Sequence, residues 1–281
     1  GSINSELRAL TPALLQQLKT DYEAATTLSC KLGKRSCKEL REARVVACVG
    51  KRISADEPGS KSLIFSQFVT TLDWLKIELP KHGFEILETI AVPTPSRDLS
   101  NVVLRLRSLR PDLVIPSTYY GETVLLARTM QQQRVRPKAV YAVVNGAASN
   151  MRFVKEFPEA AENIMDVNHW HDPRNPKNAA LQKRVADAGK QWNYNTPLNY
   201  SCMMLLADAI ERAASADRTK IIEALASSTF SDHLMPYGPT KFEGGQNQGA
   251  APVSTQVQKS QIRVVYPESF ADAKPIFPVE S

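Results

Sequence analysis

From residue 61 to residue 192, short apolar runs alternate with longer segments whose apolar residues recur every three or four positions. The runs Lys61-Ser62-Leu63-Ile64-Phe65, Phe84 to Val92, Leu113-Val114-Ile115, Ala139 to Val144 and Asn163 to Asn168 have strand character. The segments between them have a period near 3.6, which predicts helices over Val69–Lys81, Ser96–Arg110, Glu122–Gln133, Met151–Phe157 and Pro176–Trp192. In the second of these, Leu99, Val102, Val103, Leu106 and Leu109 share an inward face, with Arg105, Arg107 and Arg110 outward. Gly83 suits a left-handed helix stop. Strands alternating with helices of this length imply right-handed βαβ units, so the expected fold class is α/β, a doubly wound and mostly parallel sheet.

The pattern differs at both ends. Leu7, Leu10, Leu14, Leu15, Leu18 and Tyr22 form a stripe on a helix expected over 5–28, and a shorter helix is expected over 36–44. The run Val45 to Val49 could be a strand, and Asp56-Glu57-Pro58-Gly59-Ser60 reads as a turn or linker. After Asn199 come a strongly apolar helix, Tyr200–Ala213, and another capped by Asp217 and ending near Leu225. Strand-like Val253–Val257 and Ile262–Tyr266 precede a Pro-rich tail from Pro267. The expected organisation is a helical N-terminal segment (1–57), an α/β lobe (58–198) and a C-terminal region of helices and strands (199–281).

Composition narrows the function classes. Hydrophobic residues at 43% and charged residues at 23% are ordinary globular proportions, which excludes collagen-like and disordered chains. No apolar run reaches the ~20 residues of a membrane-spanning helix. The excess of 35 Lys and Arg over 29 Asp and Glu is mild and spread out. Its densest stretch, Lys31 to Arg44, is interrupted by Glu39 and Glu42, as on a solvated helix face, which argues against a nucleic-acid surface. Cys30, Cys37, Cys48 and Cys202 form no close pair of the zinc-site kind and are too few for a disulfide scaffold. The opening residues carry no secretory signal pattern.

Motif chemistry points away from catalysis. There is no GxxxxGK(S/T) phosphate loop, no GxGxxG after a strand, no GxSxG elbow and no HExxH pair. Gly244-Gly245 sits among turn residues. His169-Trp170-His171-Asp172 could begin a metal site, but its spacing fits a strand end running into a turn better, so neither metal nor cofactor is expected. Position is more informative. Ligands of open α/β sheets bind at the carboxyl ends of the strands. There the chain offers Ser66 and Gln67, then Ser117, Thr118, Tyr119 and Tyr120, then Asn145, then Trp170. Hydroxyls, amides and aromatic faces suit reversible capture of a small polar molecule.

Several blocks resemble a known family. Phe84-Glu85-Ile86-Leu87-Glu88-Thr89, Asp98-Leu99-Ser100, Leu104-Arg105-Leu106 and Arg110 to Pro116 look like the second lobe of type I periplasmic solute-binding proteins. Leu205 to Ala213 and Met235 to Phe242 continue the likeness, which runs from 84 to 278. These are the leucine/isoleucine/valine- or amide/urea-binding proteins of ABC importers. The resemblance implies a non-enzymatic, periplasmic amino-acid or amide binder whose partners are importer membrane subunits. It implies that Tyr119 or Tyr120 lines the cleft. It also implies that Asn145 stands where branched-chain binders hold the ligand ammonium with a carboxylate, a charge that an amide cannot supply. The residues before Pro58 are too few and too helical for a first lobe, so the expectation is a single lobe with impaired binding.

A second, shorter likeness covers residues 58–84. Pro58 to Phe68, Leu72-Asp73-Trp74-Leu75 and Leu79 to Phe84 are similar to the opening of the second lobe of Swi/Snf-type helicases. The later arginine-finger and DNA-contact motifs of that family are missing, so ATPase activity is not implied. The alternatives are a helicase-derived fragment that associates with nucleic acid, and a non-catalytic fusion product.

Overall fold

A computed structural model describes the backbone of residues 61–66 and all of residues 75–279. The helices expected over 5–28 and 36–44, the strand at 45–49, the turn at 56–60, Gln67 and the start of the helix expected at Val69 lie outside the described residues.

Five strands form the parallel part of a seven-stranded sheet: β1 (Lys61–Ser66), β2 (Glu85–Ile90), β3 (Leu113–Ser117), β4 (Ala139–Val143) and β5 (Met165–Asn168). Two more, β9 (Val253–Gln258) and β10 (Gln261–Tyr266), close one edge, giving the order β10-β9-β5-β4-β3-β1-β2. Within β2-β1-β3-β4-β5 every pair is parallel, whereas β9 runs antiparallel to β5 and to β10. The order reverses at β1 and β3, the topological switch point where such sheets open a crevice. The last two strands come from the C-terminal region, so that region completes the lobe's own sheet.

Side chains alternate across the pleat, so β3 feeds two cores. Leu113 and Ile115 join Leu75, Leu79, Phe84, Tyr141, Met165 and Val167 on one face. Val114 joins Val103, Leu106, Leu126 and Met130 on the other. That second face is roofed by α1 (Ser100–Leu109) and α2 (Tyr120–Gln132). The core beside it packs α3 (Met151–Glu156), α4 (Pro158–Ala161) and α5 (Pro176–Asp187) around Phe153, Trp170 and Trp192. The first face is covered by residues 75–82 and by Ala273 and Phe277 of the tail. The tail is anchored by Gln256, which accepts from Ile276 N at 2.8 Å and donates to Ile276 O at 3.0 Å.

Element ends follow local chemistry. Gly83 has φ +82° and its N–H caps Leu79 and Pro80, the expected left-handed stop. α1 begins at Ser100, not Ser96, because the Asp98 carboxylate accepts from Ser100 N at 2.8 Å and holds Asp98 outside the helix. α5 ends at Asp187, well before Trp192, with Gly189 left-handed after it. α6 (Asn195–Ala213) starts five residues ahead of Tyr200 because Pro197 suits a first turn. It is also far less buried than its apolar sequence suggests: Tyr200, Met203 and Ile210 are exposed, Met203 at 63%. Asp217 caps α7 (Arg218–Ala226) by accepting from Lys220 N at 3.0 Å, as expected. Strands β6 (Thr229–Phe230), β7 (Thr240–Glu243) and β8 (Gln246–Asn247) make a small antiparallel sheet.

Candidate functional site

The carboxyl ends of β3 and β4 bring most of the expected polar residues together. Ser117 ends β3 and is buried, and the buried Thr118 hydroxyl lies 2.8 Å from that of Thr123 in α2. Tyr119 is the N-cap residue of α2 and is 54% exposed. Tyr120 is half-buried against the Phe153 core. Burial pushes its hydroxyl above the ordinary phenol range, with Arg152 opposing and Glu156 adding. Across the strand pair, Asn145 Nδ2 donates to Pro116 O at 3.4 Å, while its Oδ1 accepts from Ala147 N at 2.9 Å. Asn145 therefore lies beside the β3 end with its carbonyl spent on its own turn.

That turn demands its glycine. Gly146 has φ +74°, and a Cβ there would lie 2.5 Å from Tyr194 Cε1. Val144 is also left-handed, at φ +50°. The segment then passes to Ser149, whose hydroxyl donates to Asp166 Oδ2 at 2.8 Å, and to Asn150, which caps α3 by accepting from Arg152 N at 2.9 Å. Asp166, in the middle of β5, is completely buried. Burial pushes its carboxyl up to about 7 against the pull of Ser149, Asn168 and the Gly146 and Val144 amides.

Trp170 lies at a groove whose lining includes none of Ser117, Thr118, Tyr119, Tyr120 or Asn145. It is buried in the core of α3 and α5 and faces the His171 ring, 5.0 Å between centroids. His171 in turn meets Trp192 edge-on at 5.3 Å and accepts from Trp192 Nε1 at 3.2 Å through Nδ1. Burial pulls the imidazole down to about 4, with Asp172 opposing, so it is neutral near pH 7. The three rings line an open groove of about 750 Å³ along α5, α3 and β10. Asp172 is spent on Arg174, with oxygens 3.1 and 3.2 Å from the guanidinium, and among the described residues no three His, Cys, Asp or Glu gather as a metal set would.

Two contributors were not foreseen from sequence. Glu122, read as the first residue of a helix, is buried in the first turn of α2 and accepts from Ser96 N at 3.3 Å. It thereby ties the loop after β2 to the first turn of α2. The Ser149–Asp166 pair was the other. Its only trace in the sequence is an acid inside the apolar run Ile164-Met165-Asp166-Val167.

Comparison with known proteins decides the family. The sequence profile described as periplasmic binding protein matches residues 67–261, more than half the chain. The chain belongs to the periplasmic binding protein family. The match starts inside the stretch that resembles a helicase lobe, and runs on through both polar strand ends. Among curated proteins, the Leu/Ile/Val-binding protein homolog 7 of Brucella melitensis is 21% identical over 201 residues, 69% of this chain. The chain spans about half the length of that relative, 50%. Among solved structures, the leucine binding protein LivK of Thermotoga maritima aligns with a TM-score of 0.64 at 19% identity, over 80% of this chain and 64% of that one. An ABC transporter solute binding protein of R. palustris in complex with benzoate aligns with a TM-score of 0.65 at 15% identity, over 83% and 64%. At these identities the structural likeness speaks for the fold of a periplasmic binding protein alone.

Proposed function

We propose that the chain captures a small polar molecule reversibly at the carboxyl ends of β3 and β4, without transforming it, as part of an ABC-type import system outside the cytoplasm. One observation carries the reading. Asn145 and Thr118 sit at adjoining strand ends beside the switch point of a doubly wound sheet, where a loop residue gains access to ligand while the sheet holds it in place. Tyr119 stands exposed beside them and offers a flat apolar contact. Ser117, buried at the end of β3, and Tyr120, packed on the Phe153 core, flank them in the chain, and the importer's membrane subunits are the partners this reading implies.

The chemistry favours a neutral, amide-like ligand. Asn145 is an amide where a charged amine would call for a carboxylate, and its Nδ2 carries a second N–H beyond the one turned to Pro116 O. Calorimetric titration with urea, short amides, leucine, isoleucine, valine and benzoate tests the reading. Saturable heat with an amide, reduced at least tenfold in affinity by Asn145→Ala, is the expected result, a loss of ~1.4 kcal/mol or more. Absence of heat from the whole panel at millimolar concentration would refute it.

A further inference from the structure

The groove of about 750 Å³ along α5, α3 and β10 shares no lining residue with the ends of β3 and β4, and its charge is lopsided. Among the described residues its lining holds five cations, Lys155, Arg174, Lys183, Lys190 and Arg263, against one acid, Asp272. Acids offset three of the five. Arg174 Nε lies 3.1 Å from Asp172, Lys183 Nζ 2.7 Å from Asp187 and Arg263 Nε 3.3 Å from Asp272. Lys155 Nζ instead donates to the neutral Gln191 Oε1 at 2.8 Å, and Lys190 meets no acid among the described residues. The uncompensated positive charge therefore gathers at one end, around Gln191, just past the C-terminus of α5.

The other end lies ahead of α5, at Arg174. Asp172 meets its charge, but three hydrogen bonds, to both Asp172 oxygens and to Ser269 O, leave two of the five guanidinium N–H groups for a further acceptor. Between the ends the surface is apolar. Trp192 and Ile262 are buried beneath it, and Pro176, Ala179 and Ala186 stand exposed along α5. His171 adds no free polar atom, because Nδ1 accepts from Trp192 Nε1 at 3.2 Å and Nε2 lies 3.1 Å from Gln182 Nε2.

Length decides the class of occupant. The 12 residues of α5 rise about 18 Å between Arg174 and Lys190. A small carboxylate reaches only one end, whereas an extended chain of about six residues covers the span. A nucleic-acid backbone fits worse, since Asp172, Asp187 and Asp272 stand among the cations and repel a continuous row of phosphates. We propose that the groove docks an acidic segment of a partner protein in extended form, with carboxylates on Lys155 and Lys190, apolar side chains on the floor and a main-chain carbonyl on Arg174. Exposed ion pairs contribute little singly, so the contact is modest in affinity and weakened by salt. It is independent of the proposed small-molecule site.

Fluorescence anisotropy on the full chain tests this with two labelled, end-capped hexapeptides, Glu-Glu-Leu-Ala-Leu-Ala and its reverse. One of them should bind saturably at about 50 mM salt and roughly tenfold more weakly at about 500 mM. Replacing its glutamates by glutamine, or introducing Lys155→Glu with Lys190→Glu, should each weaken binding about tenfold or more. Both lysines are exposed, so the double variant leaves the fold intact. Chemical-shift mapping should place the peptide on the Trp192 indole N–H and on residues 183–191. The shorter Glu-Glu-Leu cannot span α5 and should bind about tenfold more weakly than the hexapeptide. Equal affinity for that tripeptide or for glutarate would make the groove a small-anion pocket and overturn the proposal. So would equal binding of an oligothymidylate with the same lysine dependence, shifts away from residues 183–191, or no saturable binding at millimolar peptide.

Discussion

At the scale of single residues, the site is built from conformations and contacts that few substitutions preserve. Gly146→Ala would place a methyl group 2.5 Å from the Tyr194 ring at a left-handed position. Urea denaturation should show a loss of about 2 kcal/mol, with about 1–3 kcal/mol usual for such strain. Asn150→Ala removes the α3 cap and should cost about 1 kcal/mol by the same measurement. Asn145→Asp tests the chemistry of the rim. A carboxylate there should improve binding of amine-bearing ligands relative to amides by about tenfold or more, since charge-assisted bonds contribute ~1.5–3 kcal/mol. Calorimetry with leucine against urea reads that preference, and an unchanged ratio would remove Asn145 from the ligand's reach.

At the scale of elements, burial decides which substitutions matter. Phe153 of α3 is wholly buried in the core that supports the Asn145 turn, so Phe153→Ala should cost about 3–5 kcal/mol. Met203→Ser on the exposed side of α6 should stay within about 0.5 kcal/mol. The strands and most helices were legible in the sequence because period and length agree there: β3, β4, α2 and α7 lie within a residue or two of expectation. What was not legible came from side-chain contacts, near and distant in sequence. Asp98 shortened α1 by a local bond that periodicity does not register. Trp170, expected over a cleft, lines the groove along α5 while packing against His171 and the core, away from the β3 and β4 residues it was grouped with. Thr118 and Asn145 were singled out because both follow strands, Asn145 also through the family likeness; Asp166 and Glu122 went unnoticed because their partners lie 17 and 26 residues away.

At the scale of the whole molecule, two buried titratable groups oppose each other. The folded pKa of Asp166 is raised to about 7, so its contribution to stability is complete below the ordinary value of 3.8 and is lost as pH rises towards 7. That of His171 is depressed from 6.5 to about 4, so its contribution is complete above 6.5 and is lost as pH falls towards 4. Between about pH 4 and 6.5 the two slopes offset. Asp166→Asn should uncover a rise of stability with pH over that window, on the order of 1 kcal/mol per unit. His171→Gln should uncover a fall of similar size, both read by urea denaturation across pH. The proposed ligand site at the joined ends of β3 and β4 is open to measurement as a whole. Amide chemical-shift mapping during titration with the tightest-binding amide of the panel tests it most directly. Saturable shifts concentrated at Ser117–Tyr120 and Asn145–Ala147 are expected. Shifts confined to the groove along α5, or none at millimolar ligand, would contradict it.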